Sequence, residues 1–365
     1  MKVKAAVTRE KGKLAIETVE LAEPKAGEVL VKMVASGICH TDTAVIEQYL
    51  PVTFPVVAGH EGVGIVEKAG PGVTSLKAGD RVVLTFPSCG TCAHCEEAHP
   101  YSCDDNFTML FGGKFRDGTT RITTEDGKNV GTMFMQSSFA TYAIATEDNA
   151  IKVDVDTDDL KKLCSLGCGV QTGAGAVLNR MKPRPGSSIA IFGCGAVGLA
   201  GIMAAKISGC STIIAIHGFK GREEALAFGA THTINGRKED TVARVKEITG
   251  GKGVNYALES SGQPPLAVTM LQCMAKEGLA VTVSVTADAE VPVALEPLIM
   301  NPSVSFAGCV EGHSNPKVFI PEMVRLWKEG KLPVDKMNKY YKFDEIEKAF
   351  EESHTGGVLK PILVF

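Results

Sequence analysis

Hydrophobic and polar positions follow two different patterns along the chain, and the change comes near Leu160. Before it, short runs rich in Val, Ile and aromatic residues are separated by Gly, Pro and Asp turns, as in VLVKMVASG, EGVGIVEKAG, GDRVVLTF and FATYAIAT. Runs of this length and composition predict β-strands joined by short turns. The first 150 residues are therefore predicted to be mostly β-structure.

After Leu160, strand-like apolar runs alternate with helical stretches. SSIAIFG is followed by AVGLAGIMAAKISG, STIIAIH by GREEALAFG, HTIN by EDTVARVKEITG, and VNYALESSG by PPLAVTMLQCMAKEG. This alternation predicts a parallel, doubly wound sheet with helices on both faces. A glycine often follows the last residue of a helix, and this role is expected for Gly209, Gly229, Gly250 and Gly278.

Three further stretches carry structural predictions. Two amphipathic helices are expected near 315–330 and 344–354, before the strand-like end VLKPILVF. The glycine-rich, polar stretch 109–137 predicts a long surface loop. The uncharged stretch 186–205 has about the length of a membrane span, but its glycines favour a buried strand, a turn and a buried helix.

Composition narrows the class of protein. The chain has 365 residues, of which 44% are hydrophobic and 22% charged, and this fits about two globular domains. A formal net charge of −4 gives no reason to expect a nucleic-acid partner. The segment MKVKAAVTRE lacks the apolar run of a signal peptide, so we expect a cytoplasmic protein that does not bind membranes. Eleven cysteines then indicate metal binding rather than disulfides.

Four cysteines are grouped in the stretch CGTCAHCEEAHPYSC. They are Cys89, Cys92, Cys95 and Cys103. The spacing C-x2-C-x2-C-x7-C can surround one metal ion, and a closed set of four thiolates is typical of a structural zinc site. A catalytic metal would therefore need other ligands.

Other segments carry candidate ligands for a catalytic metal: Cys39 in GICHTD, His60 in GHEGVG and Cys168 in LGCGVQTG. Two cysteines and a histidine leave the fourth position of a zinc ion open for water or substrate. Taken singly, each has a plainer interpretation, because a cysteine in an apolar run is usually a core residue and a histidine beside a turn is usually structural.

The segment GCGAVG, residues 193–198, fits the pattern G-x-G-x-x-G. It follows an apolar strand and opens a helix, and in that context the pattern predicts a dinucleotide-binding turn. Gly193 permits the turn, Gly195 lets the backbone approach a pyrophosphate, and Gly198 lets the helix pack closely on the strand. Val197 is predicted to contact the cofactor in the same turn. The alternative is a glycine-rich turn without a ligand.

The next strand lacks the acidic residue that usually holds the ribose hydroxyls of NAD. In STIIAIHGFKGRE, His217 stands at that point, and no carboxylate follows until Glu223. Lys220 and Arg222 are nearby, and cations without an acid suit a 2′-phosphate. NADP(H) is therefore predicted in preference to NAD(H). The alternative is that both cations are solvated loop residues and that NAD(H) binds.

Together these motifs resemble the zinc-dependent alcohol dehydrogenases of the medium-chain dehydrogenase/reductase superfamily. GHEGVG, the four-cysteine segment, GCGVQTG and GCGAVG occur in the family's order, and the resemblance extends to the terminal KPILVF. The stretches CGVQTGAGAVLN, QSSFATYA and FAGCVEGHSNPKVFIP are most similar to the aryl-alcohol (benzyl-alcohol) dehydrogenase branch. The resemblance implies a mostly-β GroES-like catalytic domain at 1–154 and 297–365, and a Rossmann domain at 155–296.

The resemblance also implies which residues surround two zinc ions per chain. Cys39, His60 and Cys168 would ligate a catalytic zinc, and the four-cysteine segment would hold a structural one. Asp42 would orient a ligand and Glu61 would lie near the catalytic zinc. Alternatively, these two acids form a buried salt bridge or hydrogen bond without a chemical role.

Further roles are implied for the proton relay and the cofactor. Thr41 would begin the relay, and His40 would lie near the pyrophosphate unless it is a solvated loop histidine. The family's distal relay histidine falls at Ala44, so the relay would end through His40 or water. Thr172 would touch the nicotinamide and Lys360 a cofactor phosphate; a helix-start cap and a surface lysine are the alternatives.

The implied reaction is reversible hydride transfer between a primary, aromatic or allylic alcohol and a nicotinamide cofactor, with zinc lowering the pKa of the alcohol. A homo-oligomer, dimer or tetramer, is implied in the same way. Two other functions stay open. One is an NADPH-dependent reductase of an activated C=C or C=N bond, against which the intact ligand set and Thr41 argue. The other is a non-enzymatic zinc- or nucleotide-binding protein, because a fold alone does not prove activity.

Overall fold

The computed structural model describes residues 1–218, 221–286 and 289–365. Contacts between residues divide the chain into two compact units. Unit 1 comprises Met1–Cys168, Asn315–Lys328 and Pro333–Phe365, and unit 2 comprises Gly169–Ser314 and Glu329–Leu332. The domain bounds predicted above, 1–154 with 297–365 and 155–296, stay a prediction.

The strands in chain order are β1 (Lys2–Glu10), β2 (Lys13–Leu21), β3 (Glu28–Gly37), β4 (Val56–Val57), β5 (Glu61–Ala69), β6 (Arg81–Leu84), β7 (Ile122–Thr123), β8 (Asn129–Thr132), β9 (Tyr142–Thr146), β10 (Ala150–Lys152), β11 (Ser188–Phe192), β12 (Thr212–His217), β13 (His232–Asn235), β14 (Val254–Glu259), β15 (Met274–Thr282), β16 (Ser305–Gly308), β17 (Asn338–Lys342) and β18 (Lys360–Val364).

The α-helices are α1 (His40–Ile46), α2 (Ala93–Glu96), α3 (Asn106–Phe111), α4 (Thr157–Leu160), α5 (Gly169–Gly175), α6 (Ala196–Ile207), α7 (Arg222–Phe228), α8 (Thr241–Ile248), α9 (Pro264–Gln272), α10 (Pro316–Lys328) and α11 (Ile346–His354). Short 3-10 turns occupy Pro100–Ser102, Lys161–Gly167, Glu311–His313, Val334–Met337 and Phe343–Glu345, and π-helical turns occupy Ala176–Met181 and Glu296–Met300. None of the helices in the described ranges is long and apolar enough to cross a membrane.

Unit 1 is built from two β-sheets. One closes into a barrel in the order β1-β2-β7-β8-β4, and the other runs β10-β6-β5-β3-β18-β17, with β9 also paired to β3. Strand β3 is buried at most positions and pairs with three other strands, β5, β9 and β18. The ends of β3, β5 and β18 meet, since Gly37 is paired with both Glu61 and Ile362. This register brings together the segments that carry the candidate metal ligands.

Unit 2 contains a six-stranded sheet in the order β13-β12-β11-β14-β15-β16, and every neighbouring pair is parallel. The run SIAIF of β11 is buried at nearly every position, as expected for a strand with helices on both faces. The strand order reverses between β11 and β14, which is where doubly wound sheets bind ligands. The predicted fold class, a Rossmann sheet with a mostly-β GroES-like domain, is confirmed.

Two predictions about local structure were wrong. Residues 109–137 are not a surface loop, because they include the end of α3 and strands β7 and β8, and apolar side chains such as Phe115 and Met133 are buried. Gly278 does not end a helix: α9 ends at Gln272, and Gly278 lies within β15. In both stretches glycine suggested a break where long-range packing continues the structure. By contrast, Gly209 and Gly229 have φ of +77° and +121°, as residues that follow a helix often do.

Candidate metal centre and cofactor site

The four-cysteine cluster, Cys89, Cys92, Cys95 and Cys103, brings four sulfur atoms within 4.8 Å of one another. Backbone N–H groups of Thr91 and Cys92 point at the Cys89 sulfur, at 3.5 and 3.3 Å, and lower the pKa of that thiol to about 6. Burial raises the pKa of the Cys103 thiol to about 12. A cation among these sulfurs would favour all four thiolates, and four sulfurs fit a closed zinc site.

A second group of ligand atoms comes from three distant segments. The sulfurs of Cys39 and Cys168, a ring nitrogen of His60 and a carboxylate oxygen of Glu61 lie within 4.8 Å of one another. We call Cys39, His60 and Cys168 the dispersed cluster. Cys39 precedes α1, His60 precedes β5, and Cys168 follows the 3-10 turn Lys161–Gly167. The pairing of β3 with β5 brings Cys39 and His60 together, and the packing of Gly167 on Leu84 places Cys168 beside them. All three belong to unit 1.

Asp42, which is fully buried, ties two members of the dispersed cluster together. Its Oδ1 accepts hydrogen bonds from the Gly59 backbone N–H at 3.0 Å and from His60 Nδ1 at 2.9 Å, and its Oδ2 accepts from the Cys39 N–H at 2.9 Å. The carboxylate thus holds one ring nitrogen of His60 as a donor. The other nitrogen, Nε2, is left as the atom that can bind a metal.

The electrostatics favour a thiolate and a charged histidine in this cluster. A hydrogen bond with Cys168 lowers the pKa of the Cys39 thiol well below its usual value, and His60 and Lys360 lower it further. Burial disfavours the charged form of His60, but the Asp42 carboxylate outweighs burial and raises the pKa of the imidazole. A zinc ion on Nε2 would require the neutral imidazole, so metal binding would release that proton.

The chemistry of these donors fits zinc. Two sulfurs and an imidazole nitrogen are zinc ligands, and a set of three leaves one position open. His60 Nε2 is buried and has no hydrogen-bond partner among the described residues. A buried ring nitrogen without a partner is costly unless something binds it, and a metal ion would satisfy it.

Lys360 lies next to the dispersed cluster and is only 3% exposed. Its ammonium contacts the Glu61 carboxylate and donates to the Ile38 carbonyl at 3.0 Å. Burial raises the pKa of Glu61, with Lys360 offsetting part of the effect, while Glu61 outweighs burial and raises the pKa of Lys360. The alternative that Lys360 is a surface lysine is wrong. Its contact with a cofactor phosphate stays a prediction, which this burial disfavours.

The predicted relay residues lie at the start of α1. Thr41 is half-buried, and its Oγ1 is 3.9 Å from the Cys39 sulfur. His40 is exposed, as the solvated alternative also requires, and Ala44 is buried. Thr41 is therefore placed beside a candidate metal ligand, whereas Ala44 offers no group that could carry a proton further.

The glycine turn of unit 2 joins β11 to α6. Gly193 has φ of +98°, and a side chain on Gly198 would collide with the Gly193 carbonyl. Gly195, the residue before α6, would meet nothing within 4 Å if it carried a Cβ, so the backbone is open to a ligand there. A dinucleotide-binding turn requires close packing of its helix on the strand and a backbone that a pyrophosphate can approach, and these three glycines provide both. Val197 is half-buried in the first turn of α6.

The residues predicted to choose between NADP(H) and NAD(H) lie after β12. His217 ends this strand and is buried, and its Nδ1 has no hydrogen-bond partner among the described residues. Arg222 is exposed and begins α7, while Lys220 lies outside the described residues. The sequence prediction missed Arg237, whose Nε would lie 3.4 Å from a Cβ on Gly218. The parallel pairing of His217 with Asn235 explains this proximity and could have indicated it.

Thr172 is half-buried in α5 of unit 2, four residues after Cys168. Its position in the first turn of this helix agrees with either of the two roles named for it, and its contact with the nicotinamide stays a prediction.

Comparisons with known proteins place this chain among close relatives. Residues 25–155 match the alcohol dehydrogenase GroES-like domain and residues 196–329 the zinc-binding dehydrogenase domain. A geraniol dehydrogenase from Castellaniella defragrans is 41% identical, over 99% of this chain and 97% of the relative. Two crystal structures cover 100% of this chain and 99% of their own: a zinc-binding alcohol dehydrogenase domain protein from Burkholderia ambifaria (44% identical, TM-score 0.97) and benzyl alcohol dehydrogenase from Acinetobacter calcoaceticus (42%, 0.95).

Proposed function

We propose a substrate class and a cofactor for this chain, which belongs to the zinc-dependent alcohol dehydrogenases of the medium-chain dehydrogenase/reductase superfamily. It interconverts an alcohol and an aldehyde with zinc and a nicotinamide cofactor. The alcohol is primary and aromatic or allylic, and the cofactor is NADP(H). The observation that carries the zinc-dependent reaction is the dispersed cluster, in which His60 Nε2 is buried beside two sulfurs and has no hydrogen-bond partner among the described residues.

The protein's own groups have separate tasks in this reaction. Cys39, His60 and Cys168 would hold a zinc ion, which when bound supplies Lewis-acid polarisation of the substrate oxygen. Asp42 fixes the orientation and the tautomer of the His60 ring. Thr41 Oγ1 would accept the proton of the alcohol while it donates its own hydroxyl proton onward. Because Ala44 cannot continue the relay, that proton would leave through His40 or water.

An aromatic line of contacts supports an unsaturated substrate. The ring centroid of Phe134 is 4.5 Å from that of His60, Phe111 follows at 5.6 Å, and Phe107, which is 59% exposed, follows at 5.3 Å from Phe111. Phe134 and Phe111 are buried, so of these rings Phe107 is the one exposed to the π-system of a ligand. The names of the two relatives agree, because geraniol and benzyl alcohol both carry the hydroxyl on a carbon next to an unsaturated one.

The charges after β12 support NADP(H). His217 stands where an acid would hold the ribose of NAD, and Arg222 and Arg237 lie close to it in the chain and in the sheet. Guanidinium groups are well suited to a phosphate because they donate in a fixed fork.

Reduction of cinnamaldehyde tests the reaction and the cofactor together. The zinc-loaded protein is incubated with the aldehyde and either NADPH or NADH, and the product is identified by mass spectrometry. We expect cinnamyl alcohol, formed faster with NADPH. The saturated aldehyde would instead place the chain among C=C reductases, and a faster reaction with NADH would contradict the cofactor proposal.

The substitution His217→Asp tests the cofactor proposal alone. A carboxylate at this position would hold ribose hydroxyls and repel a 2′-phosphate, so the ratio of kcat/KM for NADPH to that for NADH should fall by about tenfold or more. His232→Asp, the same change at the exposed first residue of β13, is the matched control. An unchanged ratio in the His217 variant would show that this position does not discriminate between cofactors with and without the 2′-phosphate.

Two zinc ions per chain, a homo-oligomer and a cytoplasmic location complete the proposal. The two groups of ligand atoms support the zinc count, which metal analysis of the purified protein would test. β16 is the last strand of the six-stranded sheet, and its Phe306 is 43% exposed, which supports association through this edge. Light scattering would give the mass of the oligomer.

A further inference from the structure

We infer that Gln136 and Thr85 position the metal ligands of the dispersed cluster by joining the segment that carries His60 to the segment that carries Cys168. This inference rests on the proposed role of those residues as zinc ligands. Neither Gln136 nor Thr85 contributes a ligand atom to the cluster. Each acts through the backbone next to a ligand, so both are positioning residues.

The Gln136 side chain is 2% exposed, and its amide group is fully used. Its Nε2 donates to the His60 carbonyl at 3.1 Å and to the Thr85 carbonyl at 3.0 Å, and its Oε1 accepts from the Gly62 N–H at 3.4 Å. One amide thus contacts the backbone on both sides of Glu61 and the end of β6. A buried amide with all of these bonds resists rotation, because each lost bond would leave a buried polar group without a partner.

Thr85 continues this connection to the third ligand. Its carbonyl accepts from Gln136, and its hydroxyl donates to the Gly167 carbonyl at 2.8 Å. Gly167 immediately precedes Cys168, and it packs so closely on Leu84 that a Cβ would lie 2.2 Å from the Leu84 carbonyl. A chain of hydrogen bonds therefore runs from the backbone of His60 to the residue before Cys168.

Residues 137–139, which follow Gln136, are hydrogen-bonded to the residues that precede His60. Ser137 Oγ donates to the Val57 carbonyl at 2.7 Å, and the backbone N–H groups of Phe139 and Ser138 donate to the carbonyls of Ala58 and Gly59, at 3.2 and 2.9 Å. Gln136 follows with its bond to His60. Side chains thus replace backbone N–H donors at the two ends of this row, Ser137 at Val57 and Gln136 at the metal ligand His60.

The backbone around Gln136 is strained. Phe134, Met135 and Ser137 have φ of +53°, +48° and +53°, which costs free energy in residues other than glycine. Strained conformations of this kind persist where the surrounding contacts impose them, and they often occur at functional sites. Here the strained residues 134–137 place the Phe134 ring against the His60 ring and the Gln136 amide on the His60 carbonyl.

The release of zinc to a colorimetric chelator tests this inference, with the four-cysteine cluster as a reference within the same molecule. The zinc-loaded full chain is compared with Thr85→Val, which removes the hydroxyl, Thr85→Ser, which retains it, and Gln136→Met, which removes the amide. A Cys39→Ser chain would give the release rate of the four-cysteine cluster alone. Thr132→Val is the matched control, because it removes a buried hydroxyl that has no hydrogen-bond partner among the described residues.

We expect Thr85→Val and Gln136→Met to release the zinc of the dispersed cluster at least about tenfold faster, the scale seen when groups that orient metal ligands are removed. Thr85→Ser and Thr132→Val should match the wild type, and the four-cysteine zinc should be released at an unchanged rate. In cobalt-substituted protein, the visible bands of the dispersed site should shift in the same two variants only.

Other outcomes would overturn the inference. Unchanged release in folded Thr85→Val and Gln136→Met would show that the hydrogen bonds do not position the ligands. Faster release of both zinc ions would show a general loss of stability instead. If Thr85→Val does not fold, Gln136→Glu, which removes the Nε2 donors, carries the same test. A wild-type chain that holds zinc only in the four-cysteine cluster would instead contradict the proposed function.

Discussion

The four-cysteine cluster takes its ligand atoms from one short stretch, residues 89–103, whereas the dispersed cluster takes them from three segments that the β3 sheet brings together. Three of the four cysteines in the first cluster are only half-buried, and the sulfurs of Cys89 and Cys103 accept hydrogen bonds from backbone N–H groups of their own loop. In the dispersed cluster His60 is fully buried, and Asp42, Glu61 and Lys360 surround the ligands.

The difference indicates what each cluster contributes. A metal ion held by one loop cross-links that loop, because all four of its ligands lie within residues 89–103. A metal ion held by three segments of a sheet enters a site that the fold has already built. Loss of the first should therefore reduce stability, and loss of the second should reduce activity.

The largest effect is expected when the dispersed cluster loses a ligand. Cys39→Ser should lower kcat/KM on the order of a thousandfold or more, because Lewis-acid stabilisation is worth several kcal/mol. The thermal midpoint should fall less than when the four-cysteine cluster loses a ligand, since the surrounding sheet holds the three segments without the sulfur. Steady-state kinetics and a thermal melt of the same sample check both expectations, and a large loss of stability would contradict the comparison.

The opposite result is expected for the four-cysteine cluster. Cys92→Ser should lower the free energy of unfolding by about 4 kcal/mol, the scale on which loss of a metal site destabilises a protein, while kcat per folded molecule is retained. Trp327, the one tryptophan of the chain, lies in α10 of unit 1 and reports the unfolding of that unit by fluorescence.

His94→Ala is the control for that measurement, because this histidine lies in the same loop and is exposed. It should change stability by about 0.5 kcal/mol or less. If Cys92→Ser abolished kcat without lowering stability, the four-cysteine cluster would have a part in the chemistry, and the contrast between the two clusters would fail.

The contrast also explains which metal ligands could be predicted from the sequence alone. The spacing of Cys89, Cys92, Cys95 and Cys103 predicts a local metal site, because ligands this close in the chain must be close in space. For Cys39, His60 and Cys168 the residue types suggested zinc ligands, but only the resemblance to a family assigned them to one ion, since no local spacing joins these three segments.

The residues that support the dispersed cluster were harder still to predict. Gln136 lies in the stretch 109–137, which has the composition of a loop, and its contacts depend on left-handed backbone at residues other than glycine. Lys360 has the appearance of a surface lysine in KPILVF until β18 is paired with β3 and buries it against Glu61. Contacts of this kind come from tertiary packing and leave no periodic signal.

A smaller effect is expected from the buried ion pair beside the dispersed cluster. Lys360→Met should cost about 3 kcal/mol of stability, because it leaves the Glu61 carboxylate buried without its cation. Combining it with Glu61→Gln should recover most of this loss. Both are measured by urea unfolding followed at Trp327. Lys339→Met, which breaks an exposed ion pair with Glu352, should cost much less stability. An equal loss in the two variants would contradict the importance of burial.

The smallest effect is expected from a change of Asp42, which should lower the zinc affinity of one cluster without changing that of the other. All three partners of this carboxylate are donors: Gly59 N–H and His60 Nδ1–H on one oxygen, and Cys39 N–H on the other. Asp42→Asn keeps the shape but must turn its NH2 group toward at least one donor. The amide should keep its oxygen on the side with two donors, so the bond to Cys39 is lost and the bond to His60 weakens with the charge.

Zinc affinity at the dispersed cluster should then fall by about tenfold, which corresponds to about 1.4 kcal/mol, and the affinity of the four-cysteine cluster should not change. Chelator competition on the two sites measures this directly. Asp104→Asn, the same change at an exposed carboxylate 3.9 Å from His94, is the matched control and should leave both affinities unchanged. An equal fall at both sites in Asp42→Asn would mean that Asp42 stabilises unit 1 as a whole, because only a specific hold on Cys39 and His60 can weaken one cluster and spare the other.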